Sequence, residues 1–157
     1  DLAIEWHFIG PIQSNKTKII AEHFDWVQSV DRLKVLQRLS RQRPESLAPL
    51  QLLLQLKVGE EVSKSGANVD DLIIMYQQAL VMPQVKVRGL MCIPPASDNL
   101  KVQCGYFNQA KAVFDQLHAK DENFNVLSMG MSGDLESAAA CGSTMVRIGT
   151  DIFGART

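Results

Sequence analysis

The chain has 157 residues, of which 46% are hydrophobic and 21% are charged, as is ordinary for one globular domain with its own core. A net charge of −1 argues against non-specific electrostatic binding to nucleic acid or to an anionic membrane. Three cysteines without metal or redox spacing, no signal peptide and no apolar run of roughly 20 residues favour the cytosol.

Predicted strands and helices alternate along the chain. Apolar and β-branched runs predict six strands, at residues 4–9, 26–30, 50–58, 85–93, 126–129 and 144–148. Helical spacing of apolar residues predicts a helix in each of the five intervals. Strict alternation is typical of a parallel sheet with right-handed crossovers. Because no linker or repeat divides the chain, residues 1–157 are predicted to form a single domain.

The last two predicted strands end in small polar residues. Residues 130–133 (Gly-Met-Ser-Gly) follow one strand and Gly149-Thr150 follow the other. Free backbone N–H groups at such turns favour an anion, above all phosphate. Ordinary turn and capping chemistry accounts for the same residues equally well at this point.

Two architectures fit the alternation, a doubly wound sheet and a (β/α)8 barrel. The doubly wound sheet would favour a Gly-rich nucleotide fingerprint after an early strand, and the sequence has none. Barrels commonly hold a phosphate at the loops after strands 7 and 8, which matches the two Gly-rich turns. In a barrel, two further strands are expected upstream of Asp1.

Several motifs together resemble one family. The stretch 6–16 (WHFIGPIQSNK) is similar to the WHFIGxLQxNK stretch of the YggS/PROSC-like pyridoxal phosphate homeostasis proteins. Further similar stretches follow in the family's order and span the chain, at residues 29–31, 64–66, 88–94, 127–132 and 147–154.

The resemblance implies a fold, a cofactor and a role. The fold is the α/β, (β/α)8 TIM-barrel type of the alanine racemase-like fold-type III proteins, with strands 3–8 only in this chain, an incomplete barrel. The role is binding of pyridoxal 5′-phosphate and control of its intracellular level, with no established turnover. By matching positions, Ser132 contacts the phosphate, Gly149 and Thr150 form the second phosphate loop, and Arg147 faces the pyridine nitrogen. The alternative for Arg147 is an ordinary ion pair.

The family's Schiff-base lysine lies on the first barrel strand, in a stretch resembling AVSKTK. That stretch has no match here, so we expect this lysine to be absent from the chain, and the loop residue Lys64 is a poor substitute. A separate N-terminal chain or a swapped partner is then expected to complete the barrel. Beyond pyridoxal phosphate, no nucleic acid, membrane or metal partner is expected.

Other functions remain open. An amino-acid racemase of the same barrel type would carry an extra C-terminal domain with a catalytic tyrosine. A sugar-phosphate enzyme would need charged residues at several strand ends, and only Glu5 and Asp31 stand out. The chain could also be an inert fragment. His7 is interpreted as a satisfied core or barrel-mouth histidine, and Cys92 as a small buried hydrophobe.

Overall fold

The computed structural model describes residues 3–59 and 65–154, and the prediction for Lys64 lies outside them. Their five strands form one parallel sheet in chain order: β1 (His7–Phe8), β2 (Trp26–Val30), β3 (Leu50–Gln55), β4 (Val85–Met91) and β5 (Val126–Ser128). The α-helices of this part are α1 (Thr17–His23), α2 (Leu33–Gln42), α3 (Val69–Ala79), α4 (Leu100–His118), α5 (Leu135–Ala140) and α6 (Thr150–Phe153). The predicted alternation and parallel pairing are confirmed.

The main core lies between the strands and the helices. Leu36 and Leu39 of α2, and Phe107 of α4, are fully buried against it. The strands contribute alternate apolar residues to the same layer, among them Val27, Leu52, Leu54, Leu90 and Leu127. Each fully buried side chain of this size stabilises the fold by about 1.5–3 kcal/mol relative to exposure.

The opposite face of the sheet is concave. Gln28 of β2 and Ser128 of β5 share a hydrogen bond of 2.6 Å although three strand spacings separate their strands, about 14 Å in a flat sheet. The sheet must therefore curl so that its fifth strand faces its second. We call this concave side the inner face, and its apolar part consists of Trp26, Leu53, Met91 and Val126.

The prediction of a sixth strand at residues 144–148 is wrong. Met145 makes only an isolated parallel bridge with Ser128, although Arg147 N also donates to Gly130 O at 2.9 Å. The segment thus runs beside β5 without a regular ladder. One reason is that the Leu127 N–H donates to the Thr144 hydroxyl, at 2.7 Å, instead of to a backbone carbonyl.

The prediction of a buried strand at residues 4–9 is also wrong in extent and burial. β1 has two residues, and Ile4, Trp6 and Ile9 are 60%, 60% and 48% exposed. Among the described residues β1 pairs only with β2, so its other edge has no neighbour to bury those side chains.

Among the helices of residues 3–59 and 65–154, none is long and apolar enough to cross a membrane.

Candidate cofactor site

Two turns meet at the carboxyl end of β5. The Asp151 N–H, in the first turn of α6, donates to the Ser132 hydroxyl at 3.3 Å, which brings residues 149–151 against the turn after β5. Within the described part of the chain, the N–H groups of Ser132, Gly133, Gly149 and Thr150 donate to no acceptor. Hydroxyl and N–H donors therefore collect where a phosphate could accept from them.

The turn after β5 depends on a glycine. Gly130 has φ +100°, and a Cβ there would lie 2.6 Å from the Ala138 Cβ of α5. The same turn is closed by Asp134, whose carboxylate accepts a hydrogen bond from Met131 N at 2.6 Å. This carboxylate, which would otherwise oppose an anion, is thus engaged by the turn itself.

Arg147 spans the carboxyl ends of two strands. Its Nη1 donates to the Ser128 hydroxyl at 2.8 Å, and its Nη2 donates to Cys92 O at 3.0 Å. Burial lowers the pKa of the guanidinium, against the opposing effects of Cys92 and Asp134. An arginine nevertheless stays charged in a folded protein. Within residues 3–59 and 65–154 it forms no ion pair, so the ion-pair alternative does not hold there.

A chain of polar contacts continues from Arg147 across the inner face. The Ser128 hydroxyl donates to Gln28 Oε1 at 2.6 Å, and Gln28 Nε2 lies 2.9 Å from His7 Nδ1 and 3.3 Å from Met145 Sδ. Sequence reasoning missed Gln28 and Ser128. The available signal was weak: Gln28 stands beside Ser29 in the otherwise apolar β2, and Ser128 is the last residue of β5.

Cys92 is fully buried, as predicted, and His7 has the predicted hydrogen-bond partner, in Gln28, although it lies neither in the core nor at the carboxyl ends of the strands. His7 is half-buried and stacks on Trp26 with ring centroids 5.1 Å apart. Desolvation lowers the pKa of His7, although Glu5 and Asp25 oppose this. Burial raises the pKa of the Cys92 thiol to about 12, so it is not a nucleophilic thiolate at neutral pH. Among the described residues no His, Cys, Asp and Glu side chains group as a metal site.

Two cavities lie at opposite ends of the strands. One, of about 260 Å³, lies at the carboxyl ends and is lined by Ile9, Pro11, Ser29, Asp31, Gln55, Ser65 and Ile93. The other, of about 760 Å³, lies at the amino ends beside Trp26 and Arg88. None of the four predicted cofactor residues lines either cavity. We place the candidate site at the carboxyl ends, because barrels of this kind build their sites there and because Arg147 and the two turns lie there.

A curled parallel sheet with polar groups at the carboxyl ends of its strands is typical of (β/α)8-type domains in general, and the family model places the chain in the class of alanine racemase-like barrel domains. Residues 3–157 match the family model described as alanine racemase, N-terminal domain. The alanine racemase of Clostridium difficile 630 superposes with a TM-score of 0.76 at 12% identity, over 98% of this chain and 40% of that one. At this identity the likeness shows the shared fold.

More similar relatives define the family within this class. The chain is 49% identical over 158 residues to the pyridoxal phosphate homeostasis protein of Pasteurella multocida, covering 99% of this chain and 68% of that protein. The Escherichia coli K12 protein of the same name is 46% identical over 153 residues, covering 98% and 65%. The chain belongs to the family of pyridoxal phosphate homeostasis proteins, and it spans about two thirds of the length of these relatives.

A solved structure with ligand supports this placement. PipY of Synechococcus elongatus PCC7942, determined with pyridoxal phosphate bound, superposes with a TM-score of 0.85 at 36% identity. The match covers 96% of this chain and 71% of PipY.

Proposed function

We propose that this chain binds pyridoxal 5′-phosphate, in the cytoplasm, as part of a protein that controls the level of that cofactor. The observation that carries the proposal is the convergence of Ser132 with residues 149–151, on the segment that also bears Arg147. The names of the relatives and the ligand of PipY support it.

Each residue has a proposed role. The Ser132 hydroxyl and the free N–H groups of Gly149 and Thr150 bind the phosphate, as backbone donors at turns do. Arg147 faces the ring nitrogen. The bound cofactor supplies an aldehyde and an electron-accepting ring. A permanently charged guanidinium can only donate a hydrogen bond, so the ring nitrogen beside it must accept and stays unprotonated. An unprotonated ring accepts electrons poorly.

This arrangement favours a non-catalytic or weakly catalytic role over a racemase. Carbanion chemistry needs a strong electron sink, and Arg147 weakens the sink. We further propose that residues 1–157 act as one domain and supply no covalent lysine anchor, so that a separate segment or chain provides the anchor and covers the inner face.

The proposal predicts saturable binding without covalent attachment. Titration of the 157-residue chain with pyridoxal phosphate should give a visible absorption change, which excess inorganic phosphate should compete away. Ser132→Ala should weaken binding about tenfold, as expected for one hydrogen bond to a charged group. Ser40→Ala is the matched control, because Ser40 is also a hydrogen-bonded serine but lies on α2, where its hydroxyl bonds Pro83 O.

Three outcomes would contradict parts of the proposal. Absence of a spectral change would contradict binding. A stoichiometric lysine adduct after borohydride reduction, seen by intact mass, would contradict the missing anchor. Loss of optical rotation from L-alanine would establish the racemase instead.

A further inference from the structure

Ser128 and Gln28 connect Arg147 to His7 by hydrogen bonds, and the donor and acceptor of each bond can be assigned in one consistent way. A guanidinium can only donate, so the Ser128 hydroxyl must accept from Arg147. The Ser128 hydroxyl proton is then free for Gln28 Oε1, 2.6 Å away. At the other end, a thioether can only accept, so the Gln28 group facing Met145 is the NH₂.

The orientation of Gln28 is therefore determined from both sides. Its second N–H points at His7 Nδ1, 2.9 Å away, and can be received only if that nitrogen carries no proton. His7 must then be neutral with its proton on Nε2. The groups around His7 act in opposite directions on its protonation. Burial, to which the stacked Trp26 ring contributes, favours the neutral form, whereas the carboxylates of Glu5 and Asp25 favour the protonated form. The Arg88 guanidinium lies over the Trp26 ring.

The burial of the two middle residues makes this chain of bonds rigid. Ser128 is fully buried and Gln28 is 2% exposed. Water cannot replace a lost partner at such positions without rearrangement, and an unsatisfied buried polar group is costly. The orientation of Arg147 is thus tied to β2 and β1, more than 100 residues earlier in the chain.

We propose that Gln28 and Ser128 are positioning residues, which hold the Arg147 guanidinium toward the cofactor's ring nitrogen and link its orientation to the neutral Nε2–H form of His7. The cofactor part of this inference rests on the proposed function. The hydrogen-bond part does not, because it concerns contacts within the chain.

The hydrogen-bond part is tested without cofactor. Long-range ¹H–¹⁵N NMR at neutral pH should show His7 protonated at Nε2 alone. His118 provides an internal control with the proton on the other ring nitrogen. Its Nδ1 lies 2.9 Å from Phe124 O, and because a carbonyl oxygen can only accept, His118 Nδ1 should carry a proton. A proton on His7 Nδ1 would overturn the inference.

The positioning part is tested with pyridoxine 5′-phosphate, which has the phosphate and the ring nitrogen but no aldehyde. Ser128→Ala should raise its dissociation constant about tenfold. The affinity for an analogue with carbon in place of the ring nitrogen should stay unchanged, and Ser40→Ala should alter neither. Equal weakening of both ligands, or of neither, would overturn the positioning role. If the wild-type chain binds neither ligand, the proposed function fails, whereas the His7 result still decides the hydrogen-bond network.

Discussion

Gly89 of β4 is the position where one added methyl group should do most damage to the sheet. A Cβ there would lie 1.7 Å from Val126 O, and real Cβ contacts essentially never fall below 3.0 Å, so β4 and β5 would have to separate by about 1.3 Å. Residues other than glycine also rarely adopt the backbone φ of +155° found at Gly89.

The cost of Gly89→Ala can be worked from these contacts. The unfavourable backbone conformation costs about 1–3 kcal/mol. The separation also strains the bonds between β4 and β5, which pair at three positions, each bond worth about 0.5–1.5 kcal/mol. Together we expect a loss of about 4 kcal/mol in the free energy of unfolding.

The assay is urea unfolding at 25 °C. Gly105→Ala is the matched control, because Gly105 lies in α4 with no atom within 4 Å of its added Cβ, and it should stabilise the chain by about 0.5–1 kcal/mol. A Gly89→Ala variant within about 1 kcal/mol of wild type would refute the reasoning.

Two other predictions concern stability. The Asn99 side chain caps α4 by accepting a hydrogen bond from Lys101 N at 2.9 Å, so Asn99→Ala should lower the free energy of unfolding in urea by about 1 kcal/mol. The control Asn108→Ala, on the exposed side of α4, should be nearly neutral. Equal effects of the two substitutions would contradict the capping role. His7 binds its proton more weakly in the folded than in the unfolded chain, so the free energy of unfolding should fall as pH drops below about 6.5. His7→Gln should lose this part of the pH dependence, and an unchanged pH profile would contradict it.

The order of strands and helices was predictable from the sequence because buried parallel strands are near-continuous apolar runs. Leu50–Gln55 is the clearest case. The sequence could not show which run would lack a partner. Residues 4–9 and 144–148 are as β-prone as the others, but they lie at the two edges of the described sheet, where pairing depends on neighbours and on side chains such as Thr144.

The cofactor residues were predicted by resemblance, since turn chemistry alone left phosphate binding undecided. Their assignment as ligands of pyridoxal phosphate stays a prediction. The connection from Arg147 to His7 could not be predicted, because it joins residues 100 or more positions apart through the curl of the sheet. Gln28 in β2 and Ser128 at the end of β5 were local signs of it, but Ser29 beside Gln28 is equally polar and takes no part in this connection.

The most direct test of the central claim is the dissociation constant of pyridoxine 5′-phosphate, measured by isothermal titration for wild type, Arg147→Gln and the control Arg41→Gln. Arg41 is a matched arginine on the exposed side of α2, and its only hydrogen bond among residues 3–59 and 65–154 is to Gln37 O of its own helix. We predict one site in the wild type, at least about a tenfold weaker site in Arg147→Gln and no change in Arg41→Gln. No binding in the wild type, or equal affinity in Arg147→Gln, would contradict the claim.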